Sequence, residues 1–394
     1  MKNTYLLALI TFLFSSLNIV AQEGYKFTDI KKLPVTSVKD QHRSGTCWSF
    51  SGLAFLEAEM IRMGKKDVAN LSEMFVVRNC YYDKGIKHVR LHGALNFGGG
   101  GAFHDVTYVL KNYGLVPEEV YTGLQYGENN HVHGEIDKLL KDYVEGVINN
   151  KNKKLSTAWK TGFSGILDAY LGKQVTKFTY KGKEYTPKSF AKEVTGLNAD
   201  DYVTISSFNH HSYYQPFILE IPDNWLWGEA YNLPMQEMLK VIDYSLENGY
   251  TVAWATDVSE KGFSYRNGVA IVPGKDIKEM SDSERSKWEK LSKKEKEAAL
   301  YSFDNPIEEK TITQEMRQVA FDNYQTTDDH GMLIIGTAKD QTGKKYYIIK
   351  NSWNTGNKYK GYLYASEAFV LYKTTNIMVN KNAVPRDIKK KLKF

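Results

Sequence analysis

The stretch Gln41-His-Arg-Ser-Gly-Thr-Cys47-Trp48-Ser-Phe50 leads directly into a segment with helical periodicity. Apolar residues recur at intervals of three and four from Leu53 to Met63, which predicts a helix over 47–63 that ends at Gly64. Cys47 would then lie at the helix N-terminus, where the positive end of the helix dipole favours a thiolate. A lone cysteine is more commonly a small buried apolar residue, so a catalytic interpretation of Cys47 needs partners.

A predicted β-hairpin in the last third of the chain supplies such partners. Apolar runs over 332–338 and 346–350 are separated by a turn-forming segment at 339–343. If the turn is centred near residue 341, His330 and Asn351 lie nearly opposite each other at the open end, within one residue of register. A side-chain amide there can hold the imidazole so that its other nitrogen faces the thiol. The pattern predicts His330 as the base and Asn351 as the residue that orients it.

Gln41, six residues before Cys47, is a candidate for stabilising an oxyanion. Its side-chain amide could donate, with the backbone N–H of Cys47, to the oxygen of a carbonyl under attack by the thiolate. Such a donor typically contributes about 2.7–4 kcal/mol to transition-state stabilisation. The alternative is an ordinary surface glutamine.

These residues together resemble the motifs of papain-like cysteine peptidases. The stretch from Gln41 to Phe50 resembles the nucleophile segment, Asp329-His330-Gly331 the histidine segment, and Lys350-Asn351-Ser352-Trp353 the asparagine segment. Leu71-Ser72-Glu73 matches another recurrent stretch. Gly100-Gly101 matches the glycine pair that binds the substrate backbone in that family, although a glycine run alone would suggest a flexible loop. Trp48 and Trp353 are predicted to wall the site and shield the His–Asn pair from water, and the alternative is that both are core aromatic residues.

The resemblance implies an α+β fold in two lobes, a helical lobe and a β-barrel-like lobe, with the site in the cleft between them. Cys47 and His330 are 283 positions apart, about twice the roughly 130–150 of papain and the cathepsins. The chain therefore carries a long middle insertion, about 120–300. In this it resembles the branch of bleomycin hydrolase and the bacterial aminopeptidases C.

The C-terminus departs from that branch. There the chain continues past the segment matching Val384-Pro385 and threads into the cleft, where it restricts cleavage to chain ends. Here the sequence stops at Phe394, soon after a lysine run at 389–393. We therefore expect a more open cleft with endopeptidase action, and the alternative is an aminopeptidase.

The histidine segment departs as well, with Asp328-Asp329 where the branch usually has uncharged residues. The two acids could raise the pKa of His330 or select basic substrates, but a solvated turn is the simpler interpretation. An inactive binding protein would be expected to lack at least one of Gln41, Cys47, His330 and Asn351, and this chain has all four. An acyl transferase stays open, because the sequence does not reveal whether water or an amine accepts the acyl group.

The N-terminus has the pattern of a signal peptide over residues 1–21. Lys2 precedes an apolar stretch from Tyr5 to Val20, and Ala21 offers a small residue for cleavage. We expect an exported protein, periplasmic or extracellular, whose peptidase domain spans 22–394 and does not remain in the membrane. The second of its two cysteines, Cys80, is expected to be a free, buried thiol.

The composition limits the partners of the chain. A hydrophobic content of 42% and a charged content of 25% are ordinary for a soluble globular protein. The net charge of +6 comes without a basic stripe interleaved with aromatic residues, so we expect peptide or protein substrates and no nucleic acid. No cofactor or metal is expected: His131 and His133 lack further ligands in the pattern, and His210 and His211 are expected at the surface or in packing. The oligomeric state stays open, and a homo-oligomer is possible.

Overall fold

A computed structural model describes residues 24–274 and 282–394, and the predicted signal peptide lies outside them. The helices are α1 (Cys47–Arg62), α2 (Glu73–Arg90), α3 (Phe103–Asn112), α4 (Gly134–Ile148), α5 (Ala158–Tyr170), α6 (Pro187–Phe190), α7 (Met235–Glu247), α8 (Asp282–Glu289), α9 (Lys293–Leu300), α10 (Gln314–Asp322), α11 (Glu367–Lys373) and α12 (Arg386–Leu392). The strands are β1 (Phe27–Lys32), β2 (Phe178–Tyr180), β3 (Lys183–Tyr185), β4 (Tyr202–Ser206), β5 (Pro216–Ile218), β6 (Glu229–Asn232), β7 (Val252–Thr256), β8 (Phe263–Ser264), β9 (Val269–Ala270), β10 (His330–Asp340), β11 (Lys345–Lys350), β12 (Tyr362–Ser366) and β13 (Thr374–Asn380).

Helix α1 begins at Cys47, as its periodicity predicts, and it is buried along most of its length. Its side chains Leu53 and Leu56 belong to the same apolar cluster as Leu333 of β10. On another side α3 approaches closely: a Cβ atom on Gly52 would lie 2.6 Å from Val106 Cγ2. The helix is therefore clamped between α3 and the sheet, which fixes the position of Cys47 at its N-terminus.

One large sheet carries the other half of the fold. Its strands follow the order β5-β6-β4-β13-β7-β10-β11-β12-β9-β8, and β1 pairs with β10 in addition. Strand β10 lies in the middle and is antiparallel to β7, β11 and β1. It is buried over His330–Gly336, which explains its unbroken apolar run.

The β10–β11 hairpin forms as predicted, but its register differs. Leu333 pairs with Lys350, and the register shifts between Ile334 and Gly336. The shift occurs where β1 joins β10. The two strands approach so closely there that a Cβ atom on Gly336 would overlap the Lys31 carbonyl oxygen. Asn351 follows the end of β11, so it meets His330 through its side chain and is not its cross-strand neighbour.

The two faces of the sheet are covered differently, which gives the predicted α+β arrangement. One face packs against α1, α2 and α3 in a cluster that includes Leu333 and Ile348. The other face packs against α7, α11 and α12 in a second cluster around Trp254 and Ile349.

The middle of the chain is integrated into this architecture. Strands β4 and β7 flank β13 in the main sheet, while α4 and α5 pack against α2. The described part of the charged segment at 280–300 forms two helices, α8 and α9, separated at Ser292. Ser292 accepts from the backbone N–H of Glu295 and donates its own N–H to the Glu295 carboxylate, and this capping box starts a new helix. Among residues 24–274 and 282–394, no helix combines the length and apolar character needed to cross a bilayer.

Arg317 of α10 is a fully buried guanidinium that ties α10 to the chain on either side of it. It donates to the carbonyl oxygens of Ser207 at 2.7 Å, Leu371 at 2.9 Å and Thr374, and it lies 4.8 Å from the centre of the Phe208 ring. Burial lowers its pKa, and the carbonyl groups compensate the charge through hydrogen bonds.

Arg317→Ala is expected to lower the free energy of unfolding by about 3–5 kcal/mol, because three buried carbonyl groups lose their donor. Urea unfolding followed by circular dichroism measures the change. The matched control is Arg386→Ala, an exposed arginine, which should shift the free energy by less than about 0.5 kcal/mol. Equal effects of the two substitutions would contradict the stabilising role of Arg317.

Candidate active site

A narrow cavity lies between the N-terminus of α1 and the start of β10. It leaves about 20 Å³ for the centres of water molecules, enough for one or two waters. Its walls are formed by Cys47, Trp48, Gly101, Ala102, Phe103, Ile221, Asp223, Ala255, Asp328, Asp329, His330, Gly331 and Asn376. The structure therefore brings Cys47, Trp48, Gly101 and His330 of the predicted site residues together in one cavity.

The Cys47 thiol is partly exposed at the first residue of α1. Burial raises its pKa to about 12, while the backbone N–H groups of Gly331 and Trp48 face the sulfur and lower it. The nearby carboxyl groups of Asp328 and Asp223 raise it further. Burial therefore favours the thiol form, although two N–H donors are already directed at the sulfur.

His330 is held in one orientation by Asn351. The distance from His330 Nε2 to Asn351 Oδ1 is 2.7 Å, and the same oxygen accepts the backbone N–H of Ser352 at 2.7 Å. Because Oδ1 can only accept, the hydrogen of the neutral imidazole lies on Nε2, and Nδ1 keeps its lone pair. Burial lowers the pKa of His330 to about 4, and the bond to Asn351 opposes this shift.

Trp353 covers the imidazole of His330. The two ring centres are 4.4 Å apart with an angle of 31° between the planes. Tyr265 holds the tryptophan in place, since its hydroxyl donates to the Trp353 carbonyl at 2.6 Å. Trp353 is not among the residues that line the cavity, so its contact is with the back of the imidazole.

Gln41 is buried beside Asn351 and does not line the cavity. Its Nε2 donates to the Ser44 carbonyl at 2.9 Å, and its Oε1 accepts from the Ser352 hydroxyl at 2.7 Å. Its backbone N–H donates to the Ser352 carbonyl at 2.9 Å. Gln41 thus joins the loop before α1 to the segment that carries Asn351, and one Nε2 hydrogen is left over.

Two side chains donate hydrogen bonds to the glycine run, and one of them, Lys84, was not singled out by the sequence. Lys84 of α2, 2% exposed, donates to the carbonyl oxygens of Gly98, at 3.0 Å, and Gly100. Trp48 Nε1 donates to the Gly99 carbonyl at 3.1 Å. A helical lysine is usually exposed, so only the tertiary structure reveals that Lys84 anchors this loop.

Gly101 and Gly100 are required by close contacts. A Cβ atom on Gly101 would lie 2.6 Å from Asp105 Oδ2 and 2.8 Å from the Trp48 ring, and one on Gly100 would overlap the Asp223 carboxylate. The run is therefore fixed by its neighbours and is not the flexible loop that a glycine run alone suggests, and Gly101 is its residue on the cavity wall.

The two acids before His330 differ from each other, and the exposed Asp329 fits the predicted solvated turn. Asp329 accepts from the N–H and hydroxyl of Ser259, at 3.1 and 2.6 Å, and from the Thr327 hydroxyl at 2.7 Å. Burial raises its pKa, and hydrogen bonds from Ser259, Asp257 and Thr327 more than offset this, so the pKa lies below its usual value. Asp328 lines the cavity as Asp329 does, and there burial raises its pKa to about 8.

The histidine pairs do not form a convincing metal centre. Among the described residues, one group of three possible ligands occurs, at His210, His211 and Glu220. Gln318 Nε2 faces His210 Nδ1 at 2.9 Å, while Gln318 Oε1 accepts the Asn209 N–H and so fixes the amide. His210 Nε2 must then carry the hydrogen that it donates to Glu220 at 2.9 Å, which removes its lone pair.

His131 and His133 do not belong to a group of three possible ligands within the described chain. Burial lowers the pKa of each to about 4, so both are neutral at physiological pH. Cys80, by contrast, is confirmed as a free and fully buried thiol.

Comparisons with known proteins agree with this geometry. The papain family cysteine protease profile matches residues 25–202, and that of the peptidase C1-like family matches residues 295–394. Residues 25–202 therefore form a papain family peptidase domain, and residues 295–394 form a peptidase C1-like region. The two matched regions contain Cys47 and the His330–Asn351 pair, respectively, and the unmatched residues between them lie within the predicted insertion.

Relatives at low identity cover most of the chain. Aminopeptidase C of Lactobacillus delbrueckii subsp. lactis is 22% identical, covering 90% of this chain and 81% of the relative. Aminopeptidase G of the same organism is 22% identical over 90% of this chain and 83% of the relative. The crystal structure of PepW from Lactobacillus rhamnosis, 20% identical, aligns with a TM-score of 0.68 over 93% of this chain and 84% of that one. The predicted resemblance to the aminopeptidase C branch is confirmed, and the papain-like fold with it.

Proposed function

We propose that this cysteine peptidase cleaves peptide bonds through a thioester at Cys47, with His330 as the base and Asn351 as its orienting residue. One observation carries the proposal: Asn351 Oδ1 accepts a hydrogen bond from Nε2 of His330. This leaves Nδ1 as the proton acceptor of the ring, in the cavity that contains the Cys47 thiol. No metal or cofactor is needed for this chemistry.

The proposed reaction begins with transfer of the Cys47 proton to His330 Nδ1. The thiolate attacks the carbonyl carbon of the substrate, and the negative charge moves to the carbonyl oxygen. The Cys47 backbone N–H and the spare Nε2 hydrogen of Gln41 are the proposed donors to that oxygen. The imidazolium then protonates the leaving amine, and water, deprotonated by His330, releases the acid from the thioester. Gly100 and Gly101 are proposed to bind the substrate backbone alongside.

Burial makes this proton transfer a concerted event between the two partners. It raises the pKa of Cys47 and lowers that of His330, so neither group ionises alone near neutral pH. An imidazolium beside a thiolate stabilises both charges, since opposite charges at short range offset part of the desolvation cost. The nucleophile therefore depends on the base for its reactivity.

His330→Ala is expected to slow alkylation of Cys47 by iodoacetamide at pH 7 about 100-fold or more, because the buried thiol loses its proton acceptor. Peptide mapping by mass spectrometry measures labelling, with Cys80 as an internal site that should stay unlabelled in the folded chain. An unchanged alkylation rate would contradict the role of His330.

Gln41→Ala is the matched comparison for the oxyanion role. Alkylation forms no oxyanion, so the rate of Cys47 labelling should stay within about threefold, while kcat for a peptide substrate should fall about 100-fold. If both rates fall together, Gln41 acts through the position of Cys47 and not through the oxyanion.

For the site of cleavage we propose aminopeptidase action, with endopeptidase action as the second candidate. The names of the relatives favour the first, and so does the segment 219–228 between β5 and β6, which places Ile221 and Asp223 on the cavity wall. Endopeptidase action is favoured by the position of α12: Lys391 pairs with Glu237 at 2.6 Å and Phe394 packs on Tyr231, and no residue after Asn376 lines the cavity within the described chain.

One peptide offered with a free and with an acetylated N-terminus separates the two candidates, using Cys47→Ala as the blank. Stepwise loss of N-terminal residues from the free peptide alone is the expected product pattern. Internal cleavage of both forms would overturn the aminopeptidase proposal in favour of the endopeptidase. Products carrying an added amine would instead indicate acyl transfer.

Export is also part of the proposal, supported by the pattern of Lys2, the apolar stretch from Tyr5 to Val20 and Ala21. N-terminal sequencing of the protein purified from its natural source is expected to start at Gln22. A mature chain that begins at Met1 or Lys2 would contradict a cleaved signal peptide.

A further inference from the structure

Two carboxyl groups from distant parts of the chain meet in the cavity beside Cys47. Asp223 comes from the segment 219–228, and Asp328 comes from the residues just before β10. Each charge raises the pKa of the Cys47 thiol, and the charge of Asp223 raises the pKa of Asp328. The two acids therefore lie within electrostatic range of each other and of the nucleophile.

Asp223 is placed in the cavity by a rigid turn. The Asn224 amide donates to the carbonyl oxygens of Leu219 and Gly228 at 2.8 and 2.9 Å. Trp225 Nε1 donates to Asp105 Oδ2 at 2.7 Å, which ties the turn to the N-terminus of α3. The Asp223 carboxylate then rests over Gly100 and accepts from Asn96 at 3.1 Å.

Asp328 has no hydrogen-bond or ion-pair partner within residues 24–274 and 282–394. The charged side chains that affect it are acids, Asp223 and Asp329. The cation that acts on Asp223 is Lys84, whose ammonium is already engaged by Gly98 and Gly100. A half-buried acid that faces a second acid and has no cation of its own keeps its proton more readily, and a positive group from outside would stabilise its charged form.

We propose that Asp223 and Asp328 together bind a positively charged group of the peptide substrate, N-terminal to the bond that is cut. The group is an ammonium or guanidinium, supplied by the free N-terminus or by a basic side chain. This inference rests on the proposed function, because it places the peptide in the cavity that contains Cys47. The bound cation would neutralise the two acids and remove their unfavourable effect on the thiolate.

Four fluorogenic substrates test the proposal by matched pairs. Ala-Ala-aminomethylcoumarin against its acetylated form isolates the α-ammonium, and acetyl-Lys-Ala-aminomethylcoumarin against the norleucine analogue isolates the side-chain charge. For the unsubstituted chain, the cationic member of at least one pair should have a kcat/KM about tenfold higher or more. Asp223→Asn and Asp328→Asn should each reduce that ratio about tenfold, and the pair that responds identifies the source of the charge.

The control is Asp142→Asn, which removes one exposed carboxylate of α4 and should leave both ratios unchanged. Ratios within twofold of the unsubstituted chain in both Asp223→Asn and Asp328→Asn would overturn the proposal.

Binding separates this inference from the proposed catalysis. Calorimetric titration of Cys47→Ala with Ala-Ala-amide, lysinamide and their acetylated forms needs no turnover. A cationic ligand should bind about tenfold more weakly when Asp328→Asn is added, even if the unsubstituted chain hydrolyses none of the four substrates. Equal binding of charged and acetylated ligands would refute the cation site and leave the proposed function standing.

Discussion

The hydrogen bond between His330 Nε2 and Asn351 Oδ1 is the constraint around which the site is arranged. It sets the tautomer of the imidazole, and the Ser352 N–H fixes the acceptor oxygen in turn. Trp353 packs on the back of the ring, and Gln41 bonds to Ser352 from the loop that leads into α1. Both lobes therefore converge on one pair of side chains, and the sheet supplies the rigidity that keeps that pair in place.

Around this pair, burial and hydrogen bonds decide which side chains carry a charge. Cys47 and His330 are both neutral at rest because burial disfavours their ions. Asp329 keeps its charge through hydrogen bonds, whereas burial raises the pKa of Asp257 beside it to about 6. Asp328, also on the cavity wall, has no such hydrogen bond within the described chain. A site of this kind is poised for a substrate that brings the missing charge, which links recognition to the ionisation of the nucleophile.

Local patterns predicted the elements that carry the chemistry, and long-range contacts account for what they left out. The start of α1 and the β10–β11 hairpin follow from periodicity and turn residues close in sequence. The bulge at Gly336 does not, because it arises where β1 joins from about 300 residues away. Lys84 looks like a surface lysine of α2, and Asp223 belongs to no motif, yet tertiary packing places Asp223 on the cavity wall and Lys84 against the glycine run. Asp328 was predicted to lie in a solvated turn, but tertiary packing places it on the cavity wall, which its sequence position beside Asp329 does not reveal.

The order of these elements along the chain also constrains how the protein folds. Pairing of β1 with β10, and of β7 with β13, joins segments that are far apart in sequence, which favours slow folding. During synthesis Cys47 emerges early, whereas His330 and Asn351 follow near the end. A nascent or unfolded chain thus carries its sulfur without the imidazole that activates it. Completion of the sheet and assembly of the site are then one event, so the paired Cys47 and His330 exist only in the folded chain.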